Sequence, residues 1–85
     1  MSYTIVVSKS VQKQLDRLPE QVYQRILPTI RLLAENPRPP GSLKLKGVDA
    51  EYRIRIGDYR LRYKIDDDKQ VVILGRCQHR KNVYD

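Results

Sequence analysis

Residues 51–66 read Glu-Tyr-Arg-Ile-Arg-Ile-Gly-Asp-Tyr-Arg-Leu-Arg-Tyr-Lys-Ile-Asp, and their alternation constrains the fold more than any other stretch. Tyr52, Ile54 and Ile56 alternate with Arg53 and Arg55; beyond Gly57-Asp58, Tyr59, Leu61, Tyr63 and Ile65 alternate with Arg60, Arg62 and Lys64. Period 2 marks strands with one buried face. The two-residue Gly-Asp link favours a primed turn, which predicts a β-hairpin pairing Ile56 with Tyr59, Arg55 with Arg60, Ile54 with Leu61 and Arg53 with Arg62. One face is then apolar and the other carries four guanidinium groups. Like charges directly opposite across strands cost about 0.2–1 kcal/mol per pair, so stability alone does not select this arrangement. A merely solvated strand face is also charged, but it mixes signs. Here the one acid near the cluster, Glu51, faces Lys64 in this register. The unmixed cations point to a polyanionic partner.

The rest of the chain supplies what covers the apolar face. Tyr3 to Val7 is a β-branched run that predicts a first strand, and Ser8 suits the N-cap of a helix with Val11, Leu15 and Leu18 on one side. That helix ends at Leu18-Pro19. Pro19 opens a second helix, whose stripe of Val22, Ile26, Ile30 and Leu33 runs to Glu35. Pro28 interrupts this helix and predicts a kink or a division into two pieces. Residues 36–41 form a stiff Pro-rich connection, and Ser42 to Ala50 reads as an edge strand or a loop whose Lys44 and Lys46 adjoin the cationic face. After an acidic turn, Val71-Val72-Ile73-Leu74 is a short apolar run bounded by Gly75, as in a central strand covered on more than one side. This order predicts an α+β fold of one domain, residues 1–85. Two N-terminal helices pack on one face of a mostly antiparallel sheet of about four strands, and the arginine face lies on the other, open side.

Composition narrows the function classes. With 17 Lys+Arg against 10 Asp+Glu, the formal net charge is +7, which suits phosphate-rich or acidic partners. Cys77 is the single cysteine, so an intrachain disulfide is impossible, a zinc site is disfavoured and a reducing compartment is expected. No apolar run reaches membrane-spanning length and the N-terminus lacks a basic leader region, which predicts a soluble, cytoplasmic protein with no membrane partner. No phosphate-loop, dinucleotide, metal-box or Ser-His-Asp pattern occurs, and no cofactor or metal is implied. What remains is the cationic sheet face, together with His79, Arg80, Lys81 and Tyr84 after the last strand. Arginine holds phosphate bidentately, tyrosine stacks on bases, and such a clamp stabilises the charge of a pentacoordinate phosphorane when a 2′-OH attacks its neighbouring phosphate.

At these residues the sequence resembles the RelE branch of the RelE/ParE toxin superfamily. The resemblance lies in Leu-Lys-Gly at 45–47 leading into Tyr-Arg-Ile-Arg-Ile, in Asp-Tyr-Arg-Leu-Arg-Tyr at 58–63 and in His-Arg-Lys-Asn-Val-Tyr at 79–84. It implies the toxin of a type II toxin–antitoxin pair: an endoribonuclease that cleaves mRNA in the ribosomal A site by 2′-OH attack. It also implies a cognate antitoxin that wraps the toxin and through which the complex binds operator DNA. By resemblance, the family's basic hairpin positions fall on Arg53 and Arg55, its second-strand arginine on Arg60, its arginine after the last strand on Arg80, and its stacking tyrosine on Tyr84. Arg55, Arg60, Arg80, His79 and Tyr84 form the expected catalytic set. Lys44, Lys46, Arg53, Arg62, Lys64 and Lys81 are the expected RNA contacts.

The hairpin departs from the best-known members, which carry lysines there, one of them proposed as general base. Arginine keeps its proton to above about pH 12, which leaves the base open. His79 is one candidate, since imidazole titrates near pH 6.5, about where a general base works; the other reading is a histidine that hydrogen-bonds its own C-terminal segment. Two alternatives to ribosome-dependent cleavage stand on the same fold. They are a ParE-like inhibitor of DNA gyrase without nuclease activity, and a non-catalytic nucleic-acid-binding module.

Overall fold

The computed structural model describes residues 2–45, 47 and 51–82. β1 (Thr4–Val7) leads into α1 (Lys9–Asp16) and α2 (Glu20–Glu35), followed by β2 (Leu43–Lys44), β3 (Glu51–Ile56), β4 (Tyr59–Asp66), β5 (Val71–His79) and a 3₁₀ turn (Arg80–Asn82). Ser8 caps α1 as its sequence predicts, its Oγ accepting from the Val11 N–H at 3.2 Å. Pro19 is the N-cap residue of α2, and α2 runs unbroken through Pro28, so the division into two pieces does not occur.

The strand order is β1-β5-β4-β3-β2, with β1 parallel to β5 and the other neighbours antiparallel. Five strands replace the expected four because two residues, Leu43 and Lys44, pair with Arg53 and Tyr52 as an edge strand. The hairpin has the register its sequence predicts: Ile56 opposite Tyr59, Arg55 opposite Arg60, Ile54 opposite Leu61, Arg53 opposite Arg62 and Glu51 opposite Lys64. Gly57 takes a φ of +59° at the turn, a conformation that glycine adopts without steric cost.

β5 changes phase once. Tyr63 pairs with Leu74 and Arg62 with Arg76, so Gly75 is an extra residue, a β-bulge, between them. The bulge lets Val72 and Leu74 face the helices and, one residue out of step, Cys77 as well; a regular strand would turn the charged Arg76 inward instead. Val11 and Leu15 of α1, Ile26, Ile30 and Leu33 of α2, and Ile54, Leu61, Tyr63, Ile65, Val72, Leu74 and Cys77 of the sheet close the core. Truncating one such buried aliphatic residue to Ala costs about 2–5 kcal/mol. The sheet's other face is bare: Ile73, expected to be covered, is 39% exposed beside its register partner Val6 at 42%.

At the end of the sheet away from the hairpin turn, Arg38 clasps the Pro-rich connection to the β4–β5 turn. Its Nη2 donates to Asp67 Oδ2 at 2.8 Å, its Nη1 to Oδ1 at 3.2 Å and its Nε to the Tyr52 hydroxyl at 3.0 Å. Tyr3 adds a third donor to Asp67 at 2.8 Å. The buried Tyr63 stacks on Tyr52 and donates to the Pro37 carbonyl at 2.8 Å.

Candidate nucleic-acid interface

The pleat sorts the cations into rows across the sheet, because register partners point to the same side. On the open face one row is Arg55, Arg60 and Gln78; the next, about 7 Å further from the turn, is Arg53, Arg62 and Arg76. Arg76 completes the second row only through the Gly75 bulge, which is why alternation in the sequence did not nominate it.

The row nearest the turn opens into a cleft of about 520 Å³ lined by Arg55, Gly57, Asp58, Tyr59, Arg60, Arg80 and Lys81. Three segments build it: both hairpin strands and the 3₁₀ turn after β5. The turn is fixed to the hairpin tip by its backbone, the Arg80 N–H donating to the Asp58 carbonyl at 2.7 Å. The Arg80 Nε also lies 3.8 Å from Asp58 Oδ1, both side chains being well exposed. This ion pair orients Arg80 more than it stabilises the fold, since exposed pairs contribute little. Four cations and one carboxylate therefore meet at a concave surface, with Tyr59 beside them.

The second row is partly neutralised. Glu51 faces Lys64 in register as expected, and its carboxylate also reaches diagonally to Arg62, with Oε1 2.7 Å from Arg62 Nη2. Arg62 Nε is buried with no partner, a donor left unspent in the middle of the face. Lys64, one row further out, is exposed. Two expected residues lie on the other side of the sheet. Lys44 pairs with Tyr52, so Leu43 rather than Lys44 shares the face of Arg53. His79 pairs with Tyr59 and meets its ring edge-on, 5.0 Å between centroids, while its Nδ1 accepts from the Lys81 N–H at 3.2 Å. The bulge puts His79 in phase with Leu61 and Cys77, away from Arg55 and Arg60. Lys46 and Tyr84 lie outside the described residues. The structure thus brings Arg55, Arg60, Arg80 and Lys81 together, keeps Arg53 and Arg62 one row away, and sets His79 and Lys44 apart.

Residues 5–84 match the family described as the ParE toxin of type II toxin–antitoxin systems, parDE. The chain belongs to this superfamily of toxins. Its relatives place it on the RelE branch. Toxin RelE3 of Methanocaldococcus jannaschii is 32% identical over 95% of this chain and 94% of that protein. Toxin RelG of Mycobacterium tuberculosis is 27% identical over 99% and 98%. Among solved structures, the RelE of the archaeal RelE–RelB complex from Pyrococcus horikoshii superposes with a TM-score of 0.85 at 31% identity, covering 98% of this chain and 100% of that one. The isolated RelE toxin of Escherichia coli gives 0.82 at 27% identity, over 96% and 90%. The two-helix, α+β architecture is thus that of RelE toxins.

Proposed function

We propose that this RelE-type toxin is a ribosome-dependent endoribonuclease that cleaves mRNA in the A site and so inhibits translation. The observation that carries the reading is the convergence of Arg55, Arg60, Arg80 and Lys81 on one concave cleft, with Asp58 the one acid lining it among the described residues. In the reaction a 2′-oxygen forms a bond to the adjacent phosphorus while the bond to the 5′-oxygen breaks, giving a 2′,3′-cyclic phosphate and a 5′-hydroxyl. One proton leaves the 2′-OH and one reaches the departing oxygen. The phosphorane carries an extra negative charge, and preorganised guanidinium groups stabilise it more than the ground state, which is what lowers the barrier. Arg80 is tied to the hairpin tip through its backbone and through the nearby Asp58 carboxylate. Arg53, Arg62 and Lys64 extend the track for the bound message.

A cognate antitoxin, a RelB-like chain that folds on contact, is proposed to hold the toxin in check and to carry the complex to operator DNA in the cytoplasm. Solved relatives in complex with RelB, and the net charge of +7, support an acidic partner. The family description favours a second reading, ParE-like inhibition of DNA gyrase. Primer extension on an mRNA under translation separates the two: new ends within codons at the A site are expected. Intact message together with inhibited gyrase supercoiling would overturn the nuclease reading.

A further inference from the structure

The hairpin tip carries a cation that belongs to neither of its strands. Arg25 lies on the second turn of α2 and is exposed. A Cβ placed on Gly57 would stand 3.1 Å from Arg25 Nη1, 3.2 Å from Nη2 and 3.3 Å from Cζ. The guanidinium of Arg25 therefore lies against the hairpin turn at Gly57, its Nη groups nearest the turn. An α-carbon accepts no hydrogen bond, so this contact uses none of the guanidinium's N–H donors. Glycine is therefore required twice at the tip, for its positive φ and for the seat it leaves open.

No acid engages this group among the described residues. Asp58 is directed to Arg80, and Glu20, one turn earlier on α2, accepts from Gln24 at 2.9 Å. Gly57 also lines the cleft that holds Arg55, Arg60 and Arg80. The Arg25 guanidinium thus stands at the rim of that cleft, on its helix side.

We infer that Arg25 is a further phosphate-binding residue of the RNA site: a single strand held by Arg55, Arg60 and Arg80 continues over the hairpin tip, and its next phosphate is taken by the Arg25 guanidinium. The inference rests on the RNA reading above. Arginine suits the position because its guanidinium carries several N–H donors, and lysine would supply the same positive charge with fewer of them.

The test compares Arg25→Gln and Arg25→Lys with wild type in binding a short fluorescein-labelled single-stranded oligoribonucleotide across a salt series, with thermal unfolding recorded for each. A phosphate contact on single-stranded nucleic acid contributes about 0.7 to the slope of log affinity against log salt. Arg25→Gln is expected to make the slope shallower by about that amount, with several-fold weaker binding at low salt, and Arg25→Lys to keep the wild-type slope. A wild-type slope in Arg25→Gln overturns the inference whatever its Tm. So does an equal loss in both variants that follows a fallen Tm, which makes Arg25 a clamp of the turn. Wild-type protein that does not bind the oligonucleotide overturns the proposed Arg25 contact and leaves the ribosome-dependent reading to the primer-extension test, whereas wild-type binding unaltered in Arg25→Gln removes Arg25 alone.

Discussion

The Arg80 N–H donates to the Asp58 carbonyl across 2.7 Å, joining the end of β5 to the tip of the neighbouring β3–β4 hairpin. Because this bond is made by backbone, side-chain substitution at either residue leaves the cleft's frame in place and reports on chemistry. Arg80→Ala or Arg60→Ala should lower the single-turnover cleavage rate on programmed ribosomes by about 100-fold, with ribosome affinity little changed. A double variant that still cuts at the wild-type rate would end the catalytic reading.

Asp58→Asn isolates the carboxylate. It removes the negative charge from the cleft, so RNA should bind more tightly, while Arg80 loses its orienting partner and cleavage should slow by several-fold. Opposite signs in affinity and rate are the signature; a parallel fall in both would mean that Asp58 only maintains the turn. A pH–rate profile of His79→Gln addresses the base. Since His79 lies on the helix side of the sheet, the acid limb of that profile should match wild type.

The Glu51–Arg62 ion pair sets unequal roles along β4. Lys64→Ala should make the salt dependence of RNA binding shallower by about 0.7, one full contact, and Arg62→Ala by clearly less, because Glu51 already neutralises that guanidinium. Glu51→Gln should steepen it. Equal slopes for the Arg62 and Lys64 variants would show that the ion pair opens on binding.

Stability in acid should depend on Asp67. Arg38, followed by Tyr3, hydrogen-bonds its carboxylate and holds its pKa below the ordinary carboxylate value. A depressed folded-state pKa stabilises the fold above the unfolded value of about 3.9, and that stabilisation is lost as pH falls through the folded pKa. Asp67→Asn should therefore lower Tm at neutral pH and flatten the decline below about pH 4. An acid limb identical to wild type would exclude the clasp as its source.

Tyr63 is fully buried and its hydroxyl serves one acceptor, the Pro37 carbonyl. Tyr63→Phe should cost about 1–2 kcal/mol in urea unfolding, the expense of a buried carbonyl left without its donor. A change below about 0.3 kcal/mol would mean that water replaces the hydroxyl, since an orphaned carbonyl costs more than that.

The hairpin was legible down to its register because two constraints coincide there: strict alternation fixes which face is buried, and a two-residue turn fixes which residues meet. The helix cap at Ser8 was legible for a similarly local reason. β5 was not. Val71 to Leu74 announce a strand, but the phase of everything after Gly75 depends on a bulge that forms against Arg62, a residue remote in sequence. Arg76 thereby joins the cationic face and His79 leaves it. The parallel pairing of β1 with β5 leaves no local signal either, and β2 is too short to carry a pattern. Arg25 sits on a helix face where charge is the ordinary expectation. Only the missing side chain at Gly57 reveals what it rests on.

The sheet order also governs when the cleft comes into being. β5 is the last strand made, yet it lies between β1 and β4, so β1 waits without a neighbour while both helices and the hairpin are synthesised. Contacts between such distant segments form late, because the intervening chain must first lose its freedom. The hairpin can close as soon as it leaves the ribosome, but its arginines then lack the frame that Arg80 provides. If the cleft is the nuclease site proposed above, the chain gains that activity only once β5 has docked.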